Sequence, residues 1–161
     1  TGCSTGFGRE FARQLIARGD RVVVTARRPE ALADLGANEQ ALVLPLDVTD
    51  AAQVAAAVRT AEQRFGRVDV LVNNAGYLGT MTPFESDDLE TRWRDTHEVN
   101  LWGTLRMTQA VLPVMKQQQS GSIVMINTMT IRVVNPGFAA YASSKGALEA
   151  ATRGIAPLPN V

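Results

Sequence analysis

The chain has 161 residues, of which 45% are apolar and 20% are charged, and its 16 Lys and Arg residues balance its 16 Asp and Glu residues. This composition predicts one globular domain, and zero net charge without basic runs favours a small-molecule ligand over nucleic acid or an anionic membrane. No window approaches the roughly 18 to 20 consecutive apolar residues of a membrane span, and the first residues do not form a signal peptide, so we expect a cytoplasmic protein.

The apolar pattern predicts helices and strands that alternate along the chain. Apolar residues that recur every three or four positions predict helices over 6–18, 51–65, about 98–115 and from about Tyr141 to Ile155. Short β-branched runs that are apolar on both faces predict buried parallel strands over 21–26, 41–44, 68–72 and 122–127. We expect Pro113 to kink or shorten the third helix, and Pro157 and Pro159 to end the last one.

This alternation predicts an α/β fold in which strands joined by single helices lie parallel. The expected architecture is a Rossmann-like, doubly wound parallel sheet between two helical layers, as one domain over residues 1–161. A phosphate-binding glycine turn normally follows the central strand of such a sheet, and no strand precedes the glycines here. We therefore expect a fragment that is truncated at both ends.

Residues 1–8 (TGCSTGFG) place glycines at positions 2, 6 and 8, directly before the first predicted helix. Glycine allows a tight turn and a close backbone approach, and the free N–H groups and positive dipole of a helix N-terminus attract a pyrophosphate. The segment is not a P-loop, because Arg9 and Glu10 stand where that loop has Lys and Ser or Thr. The glycines predict a dinucleotide-binding turn, with an ordinary turn as the alternative.

Arg27 and Arg28 follow the predicted strand 21–26, where a dinucleotide site carries either an acid for the ribose hydroxyls or a base for the extra phosphate of NADP. No carboxylate occurs there before Glu30, whereas a guanidinium matches a phosphate well. The sequence therefore favours NADP(H) over NAD(H). A solvated pair of loop arginines is the alternative.

Tyr141 and Lys145 stand four residues apart and so share one face of a predicted helix. A lysine charge one turn away favours the phenolate of tyrosine and brings it into range for proton transfer near neutral pH. Taken alone, this pair also fits an ordinary helix surface.

The motifs occur together in an order that resembles the classical branch of the short-chain dehydrogenase/reductase family, from Thr1 to about Ile155. They are TGxxxGxG at 1–8, the acidic turn Asp47-Val48, NNAG at 73–76, Asn100 in the long helix, and YxxxK at 141–145. The resemblance implies a cofactor site formed by Gly2, Ser4, Thr5, Gly6, Phe7, Gly8, Arg27, Arg28, Asp47, Val48, Asn74, Ala75, Gly76, Tyr141 and Lys145. Thr5 departs from the basic residue that many NADP-using relatives carry, so the cofactor preference rests mainly on Arg27.

The resemblance also implies the catalytic roles. Tyr141 would be the general acid and base, Lys145 would hold the nicotinamide ribose and favour the Tyr141 phenolate, and Asn100 would place a water that relays protons. Where the family has a serine thirteen residues before the tyrosine, this chain has Thr128. Its hydroxyl would orient the substrate oxygen, and Thr130, expected on the same strand face, would replace it if the register is shifted.

The function implied is hydride transfer between NADP(H) and a ketone, an aldehyde or a secondary alcohol, in a homodimer or homotetramer. The fragment would lack the first strand and the C-terminal substrate-binding part of the family. A non-catalytic nucleotide-binding protein is the alternative, because Thr128 replaces the serine; an extended-branch epimerase normally has a GxxGxxG spacing that is absent here. Cys3 and His97 receive no role, and one cysteine with one histidine forms neither a disulfide nor a tetrahedral zinc site.

Overall fold

The computed structural model describes residues 1–155 as alternating strands and helices. The strands are β1 (Val22–Ala26), β2 (Ala41–Pro45), β3 (Val70–Asn73) and β4 (Ser122–Met125). The α-helices are α1 (Gly6–Ala17), α2 (Ala33–Gly36), α3 (Ala51–Phe65), α4 (Arg94–His97), α5 (Thr104–Gln118) and α6 (Ala139–Ile155). Short 3₁₀ turns cover Pro29–Leu32, Phe84–Ser86 and Met129–Ile131, and π-helical turns cover Leu89–Trp93 and Glu98–Gly103.

Helices α1 and α3 follow their sequence signals closely, whereas α2 lies in a segment for which no helix was predicted. The prediction for α3 is confirmed at both ends: the Asp50 side chain accepts hydrogen bonds from the amides of Ala52 and Gln53, and Gly66 ends the helix with a φ of +77°. Helix α1 and the strands lie within a few residues of their predicted bounds. Residues that cap helices and short runs of apolar residues are therefore enough to predict the positions of α1, α3 and the strands.

The long helix differs from its prediction. Helical backbone runs without a break over 89–118, through a π turn, α4, a second π turn and α5. Pro113 lies inside α5, so the expectation that it shortens the helix is wrong. Pro113 is exposed, and water can bond the carbonyl that loses its amide partner, while buried Val111 and Met115 hold the turn against the core. Pro157 and Pro159, predicted to end α6, lie outside the described residues.

The strands form two parallel pairs. Strand β1 pairs with β2, with Val22 opposite Ala41, and β3 pairs with β4, with Val70 opposite Ser122. Within residues 1–155 no strand ladder joins the two pairs. Residues 1–3 bridge them at one end, because the Thr1 amine donates to the Val72 carbonyl at 2.8 Å and the Cys3 amide donates to the Thr25 carbonyl at 2.8 Å.

A cavity of about 790 Å³ separates the facing edges of β1 and β3. Val23, Thr25, Val70 and Val72 line it, so the side chains of both strands border the same space. We call this cavity the strand slot. The expected doubly wound sheet is therefore present as two halves with a gap between them.

Two apolar clusters surround the strand pairs. One combines α3 and α5 with β3, through residues such as Val54, Leu71 and Met107. The other packs α1 and α2 against β1, through residues such as Ala12 and Val24. No helix within the described part of the chain is long and apolar enough to cross a membrane.

Candidate active site

The glycine turn is packed against the NNAG segment. A Cβ atom added at Gly2, which has a φ of +66°, would lie 2.8 Å from the Cα of Ala75, and one added at Gly8 would lie 2.5 Å from the carbonyl oxygen of Gly2. The Asn74 Nδ2 donates to the carbonyls of Thr1 and Gly2, at 3.0 and 3.1 Å. Both glycines are thus required by close contact, which explains their positions in the motif.

The start of α1 carries no side-chain cap. Thr5 occupies the N-cap position without a capping hydrogen bond, and no acidic residue lies in the first turn. The N–H groups of this 12-residue helix therefore keep their capacity to bind an anion.

A second cavity, of about 650 Å³, opens over this turn. Its lining includes most residues that the resemblance assigns to the cofactor: Gly2, Ser4, Thr5, Phe7, Arg27, Asp47, Val48, Asn74, Ala75 and Gly76. The predicted residues outside the lining are Gly6, Gly8, Arg28, Tyr141 and Lys145. Lining residues that the sequence analysis did not single out are Ala26, Leu46, Thr49, Tyr77, Asp95, Glu98 and Val99. We call this cavity the cofactor cleft; it is smaller than the strand slot, but its lining contains most of the residues predicted to bind the cofactor.

The cleft fits a dinucleotide. Gly2, which leaves no room for a Cβ, borders it, α1 begins without a cap at the glycine turn, and Arg27 lies at the end of β1 with an exposed side chain. A glycine-rich turn, an uncapped helix N-terminus and a guanidinium are the groups that bind phosphates in this fold.

Lys145 is buried beside the end of β4. Its side chain is 5% exposed, and its Nζ donates to the Ile126 carbonyl at 2.8 Å. The Asn127 Nδ2 donates to the Lys145 carbonyl at 3.3 Å, which ties α6 to the loop that carries Thr128. Burial lowers the pKa of the Lys145 ammonium below its usual range. Tyr141 lies one turn earlier on the same helix and is half-buried.

Asn100 connects the NNAG side of the site to α6. It is fully buried in the π turn Glu98–Gly103, and π turns often mark functional positions. Its Oδ1 accepts from the Tyr77 amide at 2.7 Å, and its Nδ2 donates to the Tyr77 carbonyl at 2.8 Å and to Ser144 Oγ at 3.0 Å. Ser144 in turn donates to the Tyr141 carbonyl at 2.7 Å.

Ser144 and Tyr77 are the contacts that the sequence analysis missed. Ser144 is fully buried although it is polar, and its position directly before Lys145 was the available signal. Tyr77 contacts Asn100 through its backbone amide and carbonyl, so the identity of its side chain could not indicate this contact in the sequence.

Thr128 and Thr130 lie beyond β4 rather than on a strand face as expected. Thr128 caps the 3₁₀ turn Met129–Ile131, because its Oγ1 accepts from the Thr130 amide at 3.2 Å. The two hydroxyls lie 3.0 Å apart. The turn therefore keeps the two hydroxyls together even though the strand ends earlier than predicted.

His97 has partners typical of a structural residue. Its Nδ1 lies 2.9 Å from the Trp93 carbonyl oxygen, and its Nε2 lies 3.3 Å from Ser143 Oγ. It joins the long helix to α6 without contacting Tyr141 or Lys145 in any hydrogen bond described here.

We expect Gly8→Ala to lower the free energy of unfolding by about 1 to 3 kcal/mol and to weaken NADPH binding, because the added methyl meets the Gly2 carbonyl. Thermal denaturation and NADPH titration measure the two effects. Gly146→Ala on α6 is the matched control, since nothing lies within 4 Å of its added Cβ and alanine favours a helix. Equal stability changes in the two variants would contradict the packing argument.

Comparison with known proteins agrees with this geometry. The short chain dehydrogenase profile matches residues 1–157. Oxidoreductase BOA17 of Botryotinia fuckeliana (strain B05.10) is 40% identical over 151 residues, which are 92% of this chain and 54% of that protein. The chain spans a little over half the length of that relative.

Solved structures give the same result. A short-chain dehydrogenase from Streptomyces avermitilis is 43% identical with a TM-score of 0.90, over 96% of this chain and 58% of that one. The closed form of a serine dehydrogenase complexed with NADP⁺ is 28% identical with a TM-score of 0.90, over 96% of this chain and 62% of that one. The chain therefore belongs to the short chain dehydrogenase family and has its Rossmann-like α/β fold.

Proposed function

We propose that the protein is an NADP(H)-dependent oxidoreductase that interconverts a ketone or aldehyde and the corresponding alcohol. The observation that carries the proposal is the buried Lys145, which lies one turn from Tyr141 and is tied through Ile126 and Asn127 to the loop of Thr128. These contacts near the end of β4 support a site in which an acid, a cation and a hydroxyl act on one substrate.

Each residue has a separate role in the proposed reduction. When bound, the reduced nicotinamide supplies a hydride to the carbonyl carbon. Tyr141 donates its hydroxyl proton to the carbonyl oxygen, which gives the alcohol, and solvent returns that proton. Thr128 holds the carbonyl oxygen with its hydroxyl. Lys145 stabilises Tyr141 as a phenolate after Tyr141 has donated its proton.

Asn100 is proposed to act on this proton path through its position. In the family it places a water that relays protons toward the lysine. Here its side chain is committed to Tyr77 and Ser144, and its carbonyl accepts a hydrogen bond from Thr104 Oγ1 at 3.1 Å. The side chain thus holds the loop of Tyr77 and the helix of Tyr141 in position for the proton transfer.

The preference for NADP(H) over NAD(H) rests on Arg27, which lines the cofactor cleft. The NADP⁺ complex of the related serine dehydrogenase supports the same cofactor for this chain. Gly2, Ser4, Thr5, Phe7, Asp47, Val48 and the NNAG segment would hold the remainder of the dinucleotide.

We expect Arg27→Ala to weaken NADPH binding by about ten- to a hundredfold and to leave NADH binding within a fewfold, because a charge-assisted bond to the extra phosphate is lost. Fluorescence titration with each nucleotide measures both constants. Arg28→Ala is the control. Arg28 does not line the cleft, so this substitution should weaken NADPH binding less than Arg27→Ala does. Equal weakening of NADPH and NADH by Arg27→Ala would contradict the assignment.

Family membership supports a homodimer or homotetramer, a cytoplasmic location and a small-molecule substrate for the protein. Light scattering after size-exclusion chromatography measures the assembly. A monomer at micromolar concentration would contradict this part of the proposal.

A non-catalytic nucleotide-binding protein is the second candidate, favoured by Thr128 at the position of the family serine. The deciding experiment is titration with NADPH and NADH, followed by absorbance of the reduced nicotinamide with a panel of ketones and aldehydes. Substrate-dependent oxidation of NADPH supports the reductase. Tight binding without turnover of any ketone or aldehyde supports the second candidate.

A further inference from the structure

Two loops beside the catalytic hydroxyls present large apolar side chains to the outside. The loop after β3 carries Tyr77, Leu78, Met81 and Phe84, and the segment after β4 carries Met129, Val133 and Val134. Met81 is 64% exposed, Met129 is 74% exposed and Val133 is 68% exposed. We call these residues the apolar rim. Side chains of this size are rarely exposed together without a ligand or a partner.

The apolar rim is joined to the reacting groups on both sides. Met129 directly follows Thr128, and the backbone of Tyr77 is held by Asn100. The two loops approach each other, because a Cβ atom added at Gly137 would lie 3.2 Å from the Cβ of Met81. Gly137 lies four residues before Tyr141, so the second loop leads directly into the helix that carries the proposed acid.

Charge is nearly absent from the same loops. In residues 77–84 and 127–144, Arg132 is the single charged side chain. Its guanidinium donates to the Glu149 carboxylate at 2.7 Å, and the ammonium of Lys145 donates to the Ile126 carbonyl. Arg132 thus forms an ion pair at the surface, with its side chain 65% exposed, and the Lys145 ammonium is buried with a carbonyl partner.

We propose that the substrate is an uncharged carbonyl compound with a bulky apolar group on the carbonyl carbon, and that the apolar rim binds this group. The inference rests on the proposed reductase function. The carbonyl oxygen must reach Thr128 and Tyr141, so the group attached to the carbonyl carbon lies against the side chains that follow Thr128. Contact with Met129 and Val133 removes apolar surface of both partners from water, which selects apolar substrates.

The test uses methyl ketones of four, six and eight carbons, and compares five-carbon methyl propyl ketone with levulinate, which has a carboxylate in place of the terminal methyl. We expect kcat/KM to rise by about fourfold for each added methylene that becomes buried. Levulinate is expected to be reduced at least tenfold less efficiently than the uncharged five-carbon ketone, because its carboxylate loses water without gaining a cation.

Two variants at one position connect this selectivity to the apolar rim. Met129→Gln keeps the length of the side chain but makes it polar, and we expect it to reduce the preference for the eight-carbon over the four-carbon ketone by about tenfold. Met129→Leu keeps the apolar surface and is expected to retain the preference. Met129 is exposed, so both variants should fold, and their melting temperatures check this.

The outcomes separate this proposal from the proposed function. Turnover of the ketones without dependence on chain length, or better turnover of levulinate, overturns the apolar substrate and leaves the reductase. An unchanged preference in Met129→Gln shows that another protein segment covers the rim, which also overturns the proposal. No turnover of any ketone by protein that binds NADPH overturns the proposed function and this inference with it.

Discussion

Tyr141→Phe is expected to lower turnover by a factor of about 10² to 10⁴, which is the usual contribution of a positioned acid or base. The substitution removes one hydroxyl and leaves the ring, which is half-buried on α6. The hydrogen bond of Ser144 is made to the Tyr141 carbonyl and is therefore kept, so the helix should hold its position. Steady-state oxidation of NADPH with a saturating ketone measures the effect.

NADPH binding distinguishes a chemical loss from a structural one. Tyr141→Phe should bind NADPH within a fewfold of the parent protein and melt at a similar temperature. Turnover close to that of the parent protein would remove Tyr141 from the mechanism. A loss of binding in parallel with turnover would instead assign the residue to the cofactor site.

The polypeptide of residues 1–161, produced by itself, is expected to lack a cooperative unfolding transition and to bind NADPH weakly. The reason is the strand slot, where the facing edges of β1 and β3 have no ladder partner within the described residues. Each buried backbone group without a partner costs about 1 to 3 kcal/mol, and a domain is stable by only about 5 to 15 kcal/mol. A few such groups are therefore enough to remove the folded state.

Circular dichroism during heating and NADPH titration test this expectation. An extended polypeptide with about six β-branched residues placed before Thr1 is the control, because an added parallel strand can pair with both edges. It should melt cooperatively where residues 1–161 do not, and it is therefore the parent protein for the melting and binding measurements on the variants described above. A cooperative melt of residues 1–161 together with NADPH binding would show that the slot does not limit stability.

Local signals explain which parts of the fold could be predicted. Helix α3 follows from an apolar stripe between Asp50 and Gly66, and the glycine turn and the Tyr141–Lys145 pair follow from spacing alone. These features depend on residues close in sequence. The family resemblance then placed Asn74 and Asn100, which are far from the turn in sequence.

The features that could not be predicted depend on distant contacts. Pro113 stays in a helix because tertiary packing of Val111 and Met115 outweighs its local preference. The clamp on Tyr77 is made by backbone atoms, and the pairing of Thr128 with Thr130 needs a turn that the strand pattern did not indicate. Sequence spacing predicts which residues form the site, but the hydrogen bonds among them depend on the folded chain.

The hydrogen bonds of the Asn100 side chain restrict how the two sides of the site can move relative to each other. Through three hydrogen bonds it holds the backbone of Tyr77 and the hydroxyl of Ser144, so the loop beside the cofactor cleft and the helix of Tyr141 are fixed to one point. Neither can shift relative to the other without breaking a bond to a fully buried amide. The two halves of the site therefore keep their alignment through the long helix, independently of the gap that separates the strand pairs.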